Sequence, residues 1–88
     1  MPKKMIMDLQ PGEPVDDLFL LQTCELRTAR NDSLYLDLGF VDRSGSIRGR
    51  LWDASDALYC SLEVDDIVRV KGKVNVFRNE NQLVVNAI

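Results

Sequence analysis

Residues 32–53 read DSLYLDLGFVDRSGSIRGRLWD, and apolar and polar positions alternate along them almost without a break. A period of two marks a strand with one face turned to a core. Leu34, Leu36, Leu38 and Phe40 share one parity, and after DRSG the residues Ile47, Gly49 and Leu51 take over that role. DRSG is a tight-turn signal, with Asp42 opening it and Gly45 free to take a positive φ. The spacing predicts two antiparallel strands, about Ser33–Asp42 and Ser46–Trp52. The opposite parity carries Tyr35, Asp37, Arg48, Arg50 and Trp52, which puts two arginines and two aromatics on the outer face.

The same pattern extends outward in both directions. A first strand is expected from about Val15 or Asp17 to Thr28, followed by the polar turn ARNDS. After Trp52 the alternation stops at DASDALYCSL, where Asp53 is a candidate helix cap and Asp56 suits the first turn. Ala54, Ala57, Leu58 and Leu62 form the apolar stripe of a helix of about two turns. Alternation resumes in DIVRVKGKVNVF, with Val68, Val70, Val74 and Val76 assigned to the inner face. RNEN is the last turn and QLVVNAI the last strand. Pro2, Pro11, Gly12 and Pro14 make residues 1–14 an irregular lead-in, which leaves residues 15–88 as the domain.

Three strands, a short helix and two more strands form the element order of an all-β, five-stranded Greek-key barrel, the OB-fold. Closure suits so short a chain, since every strand buries one face and few edges remain exposed. Gly39, Gly49 and Gly72 fall inside strands, where glycine marks sharp coiling or close strand approach. An SH3-like barrel is the alternative, and the helix after the third strand argues against it.

Composition narrows the chemistry. The chain has 88 residues, two cysteines and no histidine. Cys24 and Cys60 are far apart with no CxxC, so a thiolate–imidazole zinc site is not expected, and neither is any other metal or cofactor. Without histidine the commonest general base is missing, and no carboxylate or lysine pair takes its place, so no catalytic residue is assigned. No apolar run is long enough to span a bilayer or to serve as a secretory signal, and a cytoplasmic, non-membrane setting is expected.

The net charge of −3 opposes a polyanion, but it is unevenly spread. Residues 1–26 carry −3 and residues 53–66 carry −5, whereas residues 27–52 carry +2 and residues 67–88 carry +3. A local cationic surface is therefore compatible with an acidic chain.

Several short motifs carry a family likeness: DLQPGEPV, ELRT, YLDL, D-x-S-G-x-I and LWDAS between Asp8 and Ser55, then D-x-V-x-V-K-G-x-V from Asp66. The chain resembles the nucleic-acid-binding OB domains, and in particular the N-terminal OB domain of the HD-domain 3′-to-5′ exoribonucleases, over about residues 8–88. The resemblance implies a module for single-stranded RNA or DNA. It also implies a catalytic HD domain, in the same chain or as a partner, that supplies histidines and a metal site. Two departures stand out. VDD replaces the usual V-G-D, so Asp65 must occupy a glycine-like position, and RNDS lacks the glycine often seen in that turn.

OB-folds bind oligonucleotides across strands two and three, flanked by the loops between strands one and two and between strands four and five. Parity puts Tyr35, Arg48, Arg50 and Trp52 on that face. Arg30 and Asn31 belong to the first loop, Phe77 and Arg78 adjoin the second, and Lys71 and Lys73 extend a basic track along the fourth strand. Rings stack on unpaired bases and cations meet phosphates, so the set suits a single strand with low sequence specificity and no catalysis of its own.

Each residue also has a purely structural reading. Trp52 closes the barrel, Tyr35 packs across the strand pair, Arg48 and Arg50 pair with Asp37, the lysines are solvated, and Phe77 plugs the core. The alternative function is a protein-interaction domain, whose acidic residues 8–17 and 53–66 suit a basic protein surface.

Overall fold

The computed structural model describes residues 5–88; Pro2 and the basic pair Lys3–Lys4 lie outside the described residues. A single 3-10 turn, Ile6–Asp8, precedes β1 (Pro14–Thr28), β2 (Leu34–Asp42), β3 (Gly45–Trp52), α1 (Asp56–Ser61), β4 (Ile67–Phe77) and β5 (Glu80–Ala87). The strands close in the order β1-β2-β3-β5-β4, with β1 returning to β4, which is the expected OB barrel. All neighbours are antiparallel except β3 and β5, which pair in parallel from Arg48↔Gln82 to Arg50↔Val84.

The length of β1 is what permits closure. Pro14–Leu20 pairs with β4 and Leu20–Thr28 with β2, so one strand serves both sides of the seam. Between Leu21 and Thr23 the register slips, and Gln22 has no partner position in β2. Such a bulge bends the strand and sharpens its twist. The inward positions change with it: Phe19 and Leu21 are buried before the bulge, and the half-buried Cys24 and Leu26 face the core after it.

The core is built from alternating positions. Leu36, Leu38 and Phe40 of β2, Val70 and Val74 of β4, and Leu83 of β5 are fully buried, and Phe19 meets Phe40 at 5.9 Å between ring centroids. Ile6 and Leu9, from the segment before β1, are buried in the same core. Two glycines show why the barrel tolerates them. A Cβ on Gly72 would collide with the Val84 carbonyl, and one on Gly49 would lie 2.7 Å from the Phe40 ring. Close approach of the β5 backbone demands the missing side chain at Gly72, and packing of the Phe40 ring demands it at Gly49.

Local details depart from expectation in four places. Val76 is 46% exposed rather than inward, because it lies opposite Asn81, beyond the Gln82–Val84 segment where β3 lies alongside β5. Ala57 is exposed, so the helix packs through Ala54, Leu58 and Leu62 alone.

Asp53 does not cap α1. It takes a left-handed φ of 58° that ends β3, and Ser55 caps instead, its hydroxyl oxygen accepting from the Leu58 N–H at 3.1 Å. Gly45 needs no positive φ, because the Asp42 carboxylate builds the turn. It accepts from the Ser44 N–H at 2.7 Å, the Ser44 hydroxyl at 2.6 Å and the Gly45 N–H at 3.2 Å. Asp42 also accepts from the Ile6 N–H at 2.8 Å, tying the 3-10 turn to the β2–β3 corner.

The two sequence departures find their explanation in the backbone. Asp65 has φ 73° and Asp32 has φ 64°, so aspartates supply left-handed positions of the kind that glycine accepts most readily. Arg78 and Asn79, at φ 53° and 66°, form the two-residue turn between β4 and β5, a type I′ pattern matched to the twist of the hairpin.

Candidate nucleic-acid interface

The outer face of β2 and β3 is a column of four cross-strand pairs: Tyr35↔Trp52, Asp37↔Arg50, Gly39↔Arg48 and Val41↔Ser46. At one end the Tyr35 and Trp52 rings lean together, their centroids 4.8 Å apart and their planes at 37°. Trp52 keeps 45% of its surface exposed, so it sits outside the barrel rather than sealing it. Tyr35 does serve as its cross-strand neighbour. The half-buried Tyr35 thus takes its structural role, packing across the strand pair.

Arg50 occupies the middle of the column. Its guanidinium carbon lies 5.5 Å from the Tyr35 ring centroid and 5.7 Å from that of Phe77. Phe77 is 47% exposed at the end of β4 and is not a core plug, and the Arg78 guanidinium approaches the same ring at 5.3 Å. Asp37, the carboxylate expected to hold Arg50 or Arg48, instead pairs with Arg27 at 3.1 Å, and Arg27 also bonds Glu25. Arg48 is exposed, in no ion pair among the described residues, and borders an open concavity of about 710 Å³. Tyr35, Arg50, Trp52, Phe77 and Arg78 thus form one continuous cluster of rings and cations, drawn from β2, β3 and the β4–β5 hairpin.

The other sequence candidates lie at the edges of this cluster or outside it. Lys73 pairs in register with Val84, which in turn pairs with Arg50, so it falls in the Arg50 row of the sheet. Lys71 lies opposite Asp16 instead. The Asp16 carboxyl is held below its ordinary value chiefly by its hydrogen bond to Arg69; desolvation opposes this, and the Arg69 and Lys71 charges lower it further. Arg30 and Asn31 are exposed in the β1–β2 loop, and the Asn31 side-chain oxygen accepts from the Ser33 N–H at 3.2 Å, which shapes that loop. No ring or ion-pair contact joins Arg30 or Asn31 to the cluster among the described residues.

Sequence reasoning overlooked Gln22 and Thr23, which line the concavity next to Arg48. Little signal was present: residues 18–21 are all apolar, and the switch of parity from 19 and 21 to 24 and 26 shows only in their burial. Among the described residues no three carboxylate or thiol groups converge to hold a metal ion. Cys24 is half-buried, and burial pushes its thiol above the ordinary range, while Cys60 is exposed on α1.

Comparison with known proteins agrees with the barrel. The family model described as "OB-fold nucleic acid binding domain" matches residues 25–88. A 3′-5′ exoribonuclease YhaM of Listeria monocytogenes serotype 4b is 30% identical over 86 residues, covering 98% of this chain and 28% of that protein. The protein of the same name from Bacillus velezensis is 38% identical over 80 residues, covering 91% of this chain and 26% of the relative. The chain therefore spans about a quarter of the length of these curated relatives. With strand order, helix position and matched residues in agreement, the chain belongs to the family of OB-fold nucleic acid binding domains.

Proposed function

We propose that this domain binds single-stranded RNA or DNA with little sequence preference and performs no chemistry itself. The observation that carries the reading is the position of Arg50, held between the Tyr35 and Phe77 rings and in no ion pair among the described residues. A guanidinium on π-faces keeps its full charge and its planar donors for a phosphate, unlike one neutralised by a carboxylate. Trp52 and Phe77 beside it offer exposed rings to unpaired bases, each stacked base contributing roughly 1–3 kcal/mol. Duplex DNA has its bases already stacked and gains nothing from such rings, so the preference is for single strands.

The relatives named exoribonucleases are about four times as long as this chain, which supports a substrate-holding role within or beside a larger nuclease. Its proposed protein partner is a catalytic HD domain, and its proposed setting is the cytoplasm.

The only tryptophan of the chain lies in the cluster and reports directly on occupancy. Titration with oligo-U and oligo-dT at low salt is expected to quench Trp52 fluorescence saturably. The quench should weaken as salt rises, with a much smaller response to duplex of equal length. Unchanged fluorescence and anisotropy with both single strands overturns the proposal.

A further inference from the structure

Across the barrel from the ring cluster the outer face changes character. In the order β1-β2-β3-β5-β4, the strands β2 and β5 flank β3, so the β1–β4 pair lies on the far side. There Val41, Leu20 and Ile67 stand in one row, since Leu20 pairs both with Val41 of β2 and with Ile67 of β4. All three face outward, because Phe40, Phe19 and Leu21, and Val68 and Val70 take the inward positions. Ile67 is 58% exposed, and Val64, three residues earlier, is 49% exposed. The turn that carries Val64 is tied to the same place. The Leu21 N–H donates to the Asp66 carbonyl at 2.9 Å, and the Asp65 N–H donates to the Leu21 carbonyl at 2.7 Å. One exposed isoleucine on a strand is ordinary, but a contiguous apolar row outside a closed barrel marks an interaction surface.

Carboxylates rim this row. Asp17 accepts from the Leu18 N–H at 2.8 Å and Asp66 from the Ile67 N–H at 3.0 Å, which fixes one anion beside each of the two strands. Glu63 and Asp65 are exposed in the same turn. None of these four acids is in an ion pair among the described residues, and Arg69 on the same face is taken by Asp16. Such a rim repels a nucleic-acid strand and an anionic bilayer. A second copy meeting this face across a two-fold axis would set unpaired carboxylates against each other. The complement is a protein surface with an apolar centre and a basic rim. The curated relatives carry about three quarters of their length outside the region this chain matches, a body large enough to cover the row.

We infer that the β1–β4 face, centred on Leu20, Val64 and Ile67, docks on an apolar protein surface edged with lysine and arginine, carried by the nuclease body that the domain serves. The inference rests on the proposed place of the domain within or beside a larger nuclease, and not on its binding of oligonucleotides. Docking through this face leaves the ring cluster turned to solvent and open to a strand.

The test grafts this chain into the Bacillus velezensis relative in place of the region it matches, and compares hydrogen exchange with that of the chain alone. Amides of residues 18–21 and 63–69 are expected to exchange about tenfold more slowly in the graft, with residues 48–52 unchanged. Ile67→Lys in the strand and Val64→Lys in the turn each set a cation against a basic rim and should remove that protection. Both side chains are exposed, so the isolated variants should keep the melting temperature and the oligo-U affinity of the native chain. Protection that is missing from the graft, that falls on residues 48–52 instead, or that survives both variants overturns the inference. So does a dimer of the isolated chain, seen by light scattering and lost in Ile67→Lys. Quenching of Trp52 by oligo-U is read on the isolated chain, so the single-strand proposal stands or falls separately.

Discussion

Arg50 and Arg69 are both strand arginines on the outside of one barrel, and their surroundings are opposite. Arg69, on β4, grips Asp16 of β1 through two hydrogen bonds, from Nε at 2.8 Å and from a terminal nitrogen at 3.0 Å. Arg50, on β3, rests on two aromatic rings instead. On the β1–β4 side Asp16 forms an ion pair with Arg69 and faces Lys71 in register. On the β2–β3 side the carboxylate in register with Arg50, Asp37, is engaged by Arg27. A count of basic residues per segment treats these sides alike. The partner of each cation, not its number, decides whether a phosphate finds it available.

The comparison can be attacked at several points. The largest effect is expected from Arg50→Glu, which replaces the ring-held cation by an anion. Affinity for oligo-U at low salt should fall roughly a hundredfold or more, read by anisotropy with the fold checked by circular dichroism. Trp52→Ala removes a stacking ring and should cost about 1–3 kcal/mol of binding while sparing the melting temperature, since the indole lies outside the core.

Val84→Asp tests the lesson more directly. It places a carboxylate beside Arg50 on the neighbouring strand, offering that cation an ion-pair partner as Asp16 does for Arg69. Affinity should drop about tenfold, with a shallower salt dependence because one phosphate contact is lost. Unchanged binding there would break the argument that ion pairing silences a cation.

Arg69→Ala should have the smallest effect on binding, leaving oligonucleotide affinity unchanged. Its consequence is in acid. Asp16 has its carboxyl lowered from the ordinary 3.8, so its contribution to stability is complete above that value and is lost as pH falls through the lower folded one. Removing Arg69 should flatten that part of the acid unfolding curve, measured by denaturant midpoint against pH.

Much of this arrangement was legible in the residues before any coordinates. Alternation in residues 32–53 assigned Tyr35, Arg48, Arg50 and Trp52 to one outer face, and pairing in register bears that out. The long-range partners were not legible. Nothing in the spacing says that Arg27 rather than Arg50 pairs with Asp37, or that the β4–β5 hairpin carries Phe77 to the Arg50 guanidinium. Val76 shows the same limit, since parity gives a direction but not whether a neighbouring strand is there to cover the side chain. The bulge at Gln22 was hidden too, because the unbroken apolar run at residues 18–21 carries no parity that could be seen to switch.

The sequence by itself determined the period, the turns and the side of the sheet each residue occupies, because these follow from bonded geometry and from water's aversion to apolar surface. Aspartates at positions 32 and 65 belong to this class, since tolerance of a left-handed backbone is a local property. Tertiary structure alone decided which cations are neutralised, which rings stay wet and where a concavity opens. Those outcomes depend on separations of a few ångströms between residues distant in the chain, and closure of the barrel sets them.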